Sequence, residues 1–400
     1  MRIILGNGTL ARYPQGGGHW MVRLQYLLGL RQLGHDPYLL ALLSSTGARD
    51  RDEARIASFF SRLREYALDD RAMLLLFSDK DAPRDLASAT AYGRSLQEIK
   101  ALIASADLLW NDCSAVLQPL LSEFKHRVMI DLDPGLLQAS IEQKRQEAPN
   151  ELTWERDIFD HHAYLSVGSN LNHRDCGVPT LGLRWTPFVP FAYLPMWPAP
   201  SPAPAEAPFT SVTHWNWDGA LPWKNQFLSF SKRDAYLRYL DLPVRTGRAF
   251  ELAANLYADD GTGDAALLTG HGWRLADPWQ VSNSPAAYQR YIAGSRAEIA
   301  CPKPVYRQLR TGWFSDRSVC YLASGRPVLA EDTGFSRYLP TGHGLLTFTT
   351  MEEAVAAVAE IDANYAHHSR AARELAHAHL DSQTCLQMML EASLVTASSS

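Results

Sequence analysis

The sequence has no run approaching the roughly 18 uninterrupted apolar residues that a membrane-crossing helix needs, so no span is expected. Its five cysteines, Cys113, Cys176, Cys301, Cys320 and Cys385, are scattered and odd in number, with no CxxC pair. That disfavours a zinc ribbon or a disulfide framework. No cluster of ligands has metal-binding spacing, so no metal and no cofactor are expected. Basic residues are not in excess: 38 Lys and Arg stand against 43 Asp and Glu, a net charge of -5. Such a chain offers no broad field for phosphate backbones, and nucleic acid is not an expected partner. The start, Met1 to Leu5 followed by Gly6-Asn7-Gly8, lacks the charged region, apolar stretch and cleavage site of a signal peptide. A cytoplasmic location is the corresponding expectation.

Hydrophobic residues make up 46% and charged residues 20%, the balance of a globular protein. A length of 400 residues suits two domains, each with its own core. The chain carries 11 Trp and 16 Tyr. Such rings are common in sugar and base sites, although most large rings fill cores.

Hydrophobic patterning alternates strands and helices. Arg2–Gly6 reads as a buried strand, Trp20–Leu33 as a helix and Pro37–Leu43 as the next strand, with Gly34 where a helix C-cap belongs. Ala72–Phe77, Asp107–Trp110 and Val128–Asp131 follow as short apolar runs with polar exits, a pattern that implies a parallel sheet with both faces covered. Between Thr186 and Pro208 the segment TPFVPFAYLPMWPAPSPAPAEAP holds eight of the 23 prolines, which makes it a linker or crossover. Beyond it the strand candidates are Phe209–Trp215, Ala249–Glu251, Ala266–Thr269, Glu298–Cys301, Pro327–Ala330 and Leu345–Phe348. Helices are expected at Arg317–Ser324, Glu352–Tyr365 and Asp381–Ala397. The division is thus a first domain over 1–190, a linker over 191–208, a second domain over 209–380, and a closing helix and tail over 381–400.

Gly6-Asn7-Gly8-Thr9-Leu10-Ala11 matches the dinucleotide fingerprint GxGxxA. That motif must open a helix and be followed by an acidic residue ending the second strand. Here Arg12-Tyr13-Pro14 interrupt it and the second strand ends in Leu43-Ser44-Ser45, which disfavours a nicotinamide enzyme. Gly16-Gly17-Gly18-His19 is more informative. Gly17 and Gly18 allow close backbone approach to a ligand, and a helix N-terminus favours negative charge. His19, on the first turn, is placed to take a proton from an acceptor hydroxyl near neutral pH, unless it is a solvated loop residue. Asp112 ends the strand of ADLLWNDCS and can orient that imidazole or cap the next helix. Asp131 and Asp133 in VMIDLDPG are alternative bases or acceptor ligands, and turn chemistry before Pro134-Gly135 explains them almost as well.

The densest block is TGWFSDRSVCYLASGRPVLAEDTGFSRYLP, Thr311 to Pro340. Ser315-Asp316-Arg317-Ser318 opens a helix with hydroxyls, free amides and an arginine, a combination suited to a diphosphate. Glu331-Asp332-Thr333-Gly334 leaves the next strand as an acidic loop placed for sugar hydroxyls. An ordinary αβ unit with surface charges is the bland alternative.

This block resembles the donor site of GT-B glycosyltransferases, where a helix of form ExxxxGxPV precedes a donor-sugar loop; the likeness extends to family-1-like and spore-maturation-type glycosyltransferases. GGGHWMVRLQYLLGLRQLGHDPYLL is similar to their first strand-helix-strand unit, and FTSVTHWNW and GHGWRLAD fit the opening of their second domain. The resemblance implies an α/β protein of two Rossmann-like domains facing each other across a cleft. It implies sugar transfer from a nucleoside-diphosphate-sugar to a small-molecule or glycan hydroxyl, in a monomer or homodimer, with no metal.

Residue by residue, it implies diphosphate or ribose contacts for Ser315, Asp316, Arg317 and Ser318, and donor-sugar contacts for Glu331 and Asp332, with Thr333 and Gly334 completing that loop. Thr213 would approach the leaving phosphate and Lys303 would neutralise the departing nucleotide. His19 with Asp112 resembles the dyad of inverting members, which leans the expectation toward direct displacement. One departure stands out: Cys320 occupies the position of the family's ribose-binding glutamate, with Asp316 one helical turn earlier as the available substitute. A sugar-nucleotide epimerase and a non-catalytic sugar-nucleotide-binding protein remain the alternatives.

Overall fold

The computed structural model describes all residues except 199–200, 217–219, 225, 257–262 and 396–400. The end of the expected closing helix, and two residues of the proline-rich stretch, therefore lie outside the described residues. The first half builds β1 (Arg2–Asn7), β2 (Asp36–Ser44), β3 (Ala72–Phe77), β4 (Ala89–Tyr92), β5 (Leu108–Asp112), β6 (Arg127–Asp131), β7 (Ala163–Ser166) and β8 (Trp185–Pro187). They form one sheet in the order β4-β3-β2-β1-β5-β6-β7-β8, parallel except for β4 against β3. The period of two is visible in β1. Ile3 and Leu5 join the core that holds Trp20, Leu24 and Leu27 of the helix Gly17–Gln32, while Ile4 joins Ile99, Leu102 and Phe124. That helix ends where the sequence says it should. Gly34 has φ +80°, and the amides of Gly34 and His35 donate to the carbonyls of Arg31 and Leu30, both at 3.0 Å.

The second half contributes β9 (Phe209–Thr213), β10 (Ala220–Trp223), β11 (Gln226–Ser229), β12 (Phe250–Ala254), β13 (Trp273–Ala276), β14 (Ala297–Ala300), β15 (Val328–Glu331) and β16 (Leu345–Phe348). A parallel six-stranded sheet runs β13-β12-β9-β14-β15-β16, and β10 pairs with β11 as a separate hairpin. Phe209, Leu252, Ile299 and Leu329 pack with Tyr236, Leu242 and Val358 on one face. Ala300, Val328 and Ala330 pack with Val319, Leu322 and Leu375 on the other.

One expected strand is wrong. Ala266–Thr269 lies inside the helix Asp264–Gly270, and the strand follows it as β13. A four-residue apolar run carries no period that separates helix from strand. The hairpin β10–β11 and the short strands β4, β7 and β8 went unread for the same reason, being too brief to show a pattern.

The proline-rich segment carries the chain from one sheet to the other, and the helix Ser382–Leu394 returns to the first. Leu386, Met389 and Leu390 enter the first core, and Trp110 Nε1 donates to Ser393 Oγ at 2.9 Å. Outgoing and returning segments are stitched together: Ala192 N donates to Leu380 O at 2.8 Å, and Ser382 N to Ala192 O at 2.9 Å. Among the described residues no helix is long and apolar enough to cross a membrane.

Candidate functional site

The C-terminal edges of the two sheets face each other, with Asp133 after β6 paired to Lys303 after β14, and the groove between such edges is where open α/β sheets hold ligands. The first lobe supplies the amino end of the helix Gly17–Gln32 and the exits of β5 and β6. His19 is exposed to solvent along the groove, yet protein stands on both sides of it. That surrounding mass lowers its pKa most and the charge of Arg23 lowers it further, while Asp112 pulls it partly back; the result is about 4. His214 on the opposite lobe adds to the lowering, which places the two histidines within electrostatic reach. His19 is therefore neutral at pH 7, the form that accepts a proton.

The expected imidazole–carboxylate bond is not formed. Asp112 Oδ2 instead accepts from Arg23 Nε at 2.8 Å, from Arg23 NH2 at 2.6 Å and from Asn7 Nδ2 at 2.6 Å. Arg23 lies one turn beyond His19 on the same helix, and a buried guanidinium with two parallel donors outcompetes an imidazole for the carboxylate. Asp112 Oδ1 is buried and has no hydrogen-bond partner among the described residues. The lean toward inversion rested on that dyad and loses its geometric support.

Asp131 does not stand free in the groove as a base would. It is buried, Oδ1 accepts from Asp133 N at 3.0 Å, and Oδ2 accepts from Gln138 Nε2 at 2.8 Å and Ser166 Oγ at 2.7 Å. Burial raises its pKa to about 6 against the pull of those donors. With both oxygens holding its own loop, it is no free base. Asp133 does reach the groove, where it pairs with Lys303 and accepts from Tyr306 Oη on the other lobe.

Gly17 and Gly18 lie at the contact between the lobes. A Cβ on Gly17 would stand 2.5 Å from Ser284 O and 2.6 Å from Ser282 O, so only glycine lets the helix start lie against that second-lobe turn. A Cβ on Gly18 would meet the Tyr288 ring at 3.8 Å, an ordinary contact.

On the second lobe the helix Asp316–Ala323 opens toward the groove. Ser315 caps it, its Oγ accepting from Arg317 N at 3.2 Å. Ser318 Oγ is buried with no partner among the described residues, an orphan beside helix-terminal amides. Burial raises the pKa of Asp316 to about 6, and Arg23 and Asp112 across the groove act on it with opposite signs. Arg317, expected on the diphosphate, points inward: it pairs with the buried Glu298 and donates from NH1 to Val212 O at 2.8 Å. Burial opposes its charge and Glu298 more than offsets that, so its pKa is raised. Its Nε and NH1 are thus committed to the second lobe's own core, which counts against a primary phosphate role.

Glu331 is equally committed. Arg238, Tyr239 Oη at 3.2 Å and Arg307 at 3.3 Å all engage Oε1 of its buried carboxylate, which commits that oxygen to the second lobe itself and counts against a primary role on the sugar. Asp332 holds its own turn, accepting from Gly334 N at 2.9 Å and Ser336 Oγ at 2.8 Å, while Thr333 Oγ1 donates to Trp313 O at 2.7 Å. Gly334, at φ +103°, lies against Asn170 of the first lobe. Asn170 is a clasp between the lobes: Nδ2 donates to Arg310 O at 2.8 Å, and Oδ1 accepts from Arg337 NH1 at 2.7 Å. Thr213 ends β9, with its hydroxyl donating to His214 O at 3.2 Å.

No family model and no curated protein sequence matches the chain. Solved structures do. An alpha-glucosyltransferase in complex with UDP and a 13-mer DNA aligns over 98% of each chain, with a TM-score of 0.58 at 10% identity. HepE from Anabaena, in complex with UDP-glucose, aligns over 98% of each with a TM-score of 0.56 at 14% identity. Sucrose-phosphate synthase from Thermosynechococcus elongatus aligns over 100% of each with a TM-score of 0.53 at 11% identity.

The chain has the fold of the GT-B glycosyltransferases.

At these identities the likeness is one of fold, and the chemistry of this GT-B groove must be read from its own residues. Two of these escaped the sequence reading. Lys232 opens the helix Lys232–Leu237, 5.9 Å from the centre of the Trp313 ring. Burial, then the charges of Arg317 and Lys303, lower its pKa to about 7. Burial also lowers His214, with Lys232 and Lys303 contributing, so these three side chains share one part of the groove. In sequence Lys232 was one lysine in SFSKRDAYL; only the hairpin before it brings it to the groove. Among the described residues no group of three or more His, Cys, Asp or Glu is placed to hold a metal ion.

Proposed function

We propose that this protein transfers a sugar from a nucleoside-diphosphate-sugar to an acceptor hydroxyl. The observation that carries the reading is the convergence of Lys232, Lys303 and the amino end of the helix Asp316–Ala323 on one side of the groove, with neutral His19 on the other. Two lysines and helix-terminal amides form a cradle for a diphosphate. Ser318 Oγ supplies an unmet hydrogen bond there. The similar-fold structures in complex with UDP or UDP-glucose make a uridine nucleotide the first probe.

In this reading His19 takes the acceptor's proton, the acceptor oxygen bonds to the anomeric carbon, and the bond from that carbon to the diphosphate breaks. Lys232 and Lys303 neutralise the departing oxygens, a role a cation fills elsewhere, so we propose transfer without a metal. A melting-temperature screen across UDP, GDP, dTDP, ADP and CDP tests it, because a ligand that binds only the folded form raises the transition. At least one diphosphate should raise it well above its parent nucleoside. No shift with any of the five would end the proposal.

A further inference from the structure

The first lobe holds a cavity of about 450 Å³ at the exits of β1 and β2, with Ala115 and Leu117 in its lining. Four cations line it: Arg12, Arg55, Lys80 and Arg84. Among the described residues none of the four forms an ion pair with a carboxylate, an unusual state for so many charges around one space. Its rim carries the hydroxyls of Ser44, Ser45 and Thr46.

Two nearby acids, Asp52 and Asp79, are held by other groups, and Asp79 and Asp81 act on Arg84 only through space. Asp52 accepts from Ser45 Oγ at 2.5 Å and Thr46 Oγ1 at 2.9 Å, which fixes the hydroxyl loop, and Asp79 accepts from Asp81 N at 2.8 Å. Arg84 is held in place, donating to Ser44 Oγ at 3.0 Å and Lys80 O at 2.8 Å with its guanidinium 4.5 Å from the centre of the Phe77 ring.

We propose that this cavity seats a phosphate monoester on a small-molecule acceptor, so that the acceptor of the reaction is itself phosphorylated. Guanidinium and ammonium donors without a carboxylate partner, together with the Ser44 hydroxyl, whose hydrogen is not spent on Asp52, match a phosphate's oxygens. The volume suits a small ligand, and a duplex does not enter a cavity of this size. Position supports the role. Gly8 of the cavity follows Asn7, whose amide holds Asp112, which in turn holds Arg23 one turn from His19. An acceptor anchored there by its phosphate extends along the same sheet edge toward the imidazole. The word acceptor rests on the glycosyl-transfer reading; the anion site does not.

The test is calorimetric titration of the whole protein with inorganic phosphate, glucose 6-phosphate, glucose and glucuronate, with and without saturating UDP. Phosphate and glucose 6-phosphate should bind in both conditions, and glucose and glucuronate far more weakly. The double variant R12Q/K80Q alters two exposed side chains. It should weaken glucose 6-phosphate roughly tenfold or more and leave UDP affinity unchanged; K80E alone should act in the same direction. Binding of neither phosphate probe, equal binding of glucuronate, unchanged affinity in both variants, or displacement of the phosphates by a short DNA duplex would each overturn the proposal. Failure of UDP alone would overturn the donor reading and leave this site standing.

Discussion

Lys303 Nζ lies 2.5 Å from Asp133 Oδ2, an ion pair that joins the two lobes across the groove. The pair sets a base candidate of one lobe against a phosphate candidate of the other, so a diphosphate entering the groove competes with Asp133 for the ammonium. Asp133→Asn should therefore tighten UDP binding by about 1 kcal/mol or less, since the carboxylate is partly solvated. Lys303→Ala should weaken it. Calorimetry showing UDP affinity moved the same way by both changes would remove Lys303 from the donor site.

Lys232, lowered to about 7 by burial and then by Arg317 and Lys303, should take up a proton if the proposed diphosphate binds beside it. A neighbouring anion raises its pKa, so the complex holds more protons than the free protein above that value. UDP affinity should be full below pH 7 and fall as pH rises through 7 toward the higher pKa of the complex. Titrations at about pH 8 in buffers of unequal ionisation heat should reveal proton uptake, and Lys232→Met should abolish it. Buffer-independent heats would refute the assignment.

His19→Ala should reduce kcat by roughly 100-fold or more, the range for a general base, with UDP affinity nearly unchanged. Because the histidine's pKa lies at about 4, its protonation should slow the wild type only as pH falls toward that value. Unaltered turnover in the variant would eliminate it as the base.

Arg317→Ala should lower stability by about 3–5 kcal/mol, because it strands the buried Glu298 carboxylate. The protein that remains folded should bind UDP as before. A stable variant with weakened UDP binding would restore Arg317 to the phosphate site.

Transfer should persist in excess chelator, since the proposed counter-charges are Lys232 and Lys303. Loss of activity that added magnesium or manganese restores would show that a cation shares that work.

Much of the fold is legible in the sequence because long buried runs such as RIILG and AMLLLF announce central strands, and Gly34 announces a helix end. The acid-rich parts of the site were misread for a common reason. Sequence shows that Asp131, Arg317 and Glu331 stand at strand exits and helix starts, but not that Gln138, Glu298 and Arg238 are folded against them. A charged residue near a groove looks the same on paper whether it faces ligand or core. Lys232 illustrates the converse: an unremarkable lysine acquires its position from a hairpin too short to predict.

The helix Ser382–Leu394 is made after the whole second sheet, yet Leu386, Met389 and Leu390 complete the first lobe's core. During synthesis the earlier half must wait, with its face at Gly29 and Trp110 uncovered, until the later half has emerged and this helix has doubled back. Domains generally fold in order of emergence; here the first to appear is the last to be sealed.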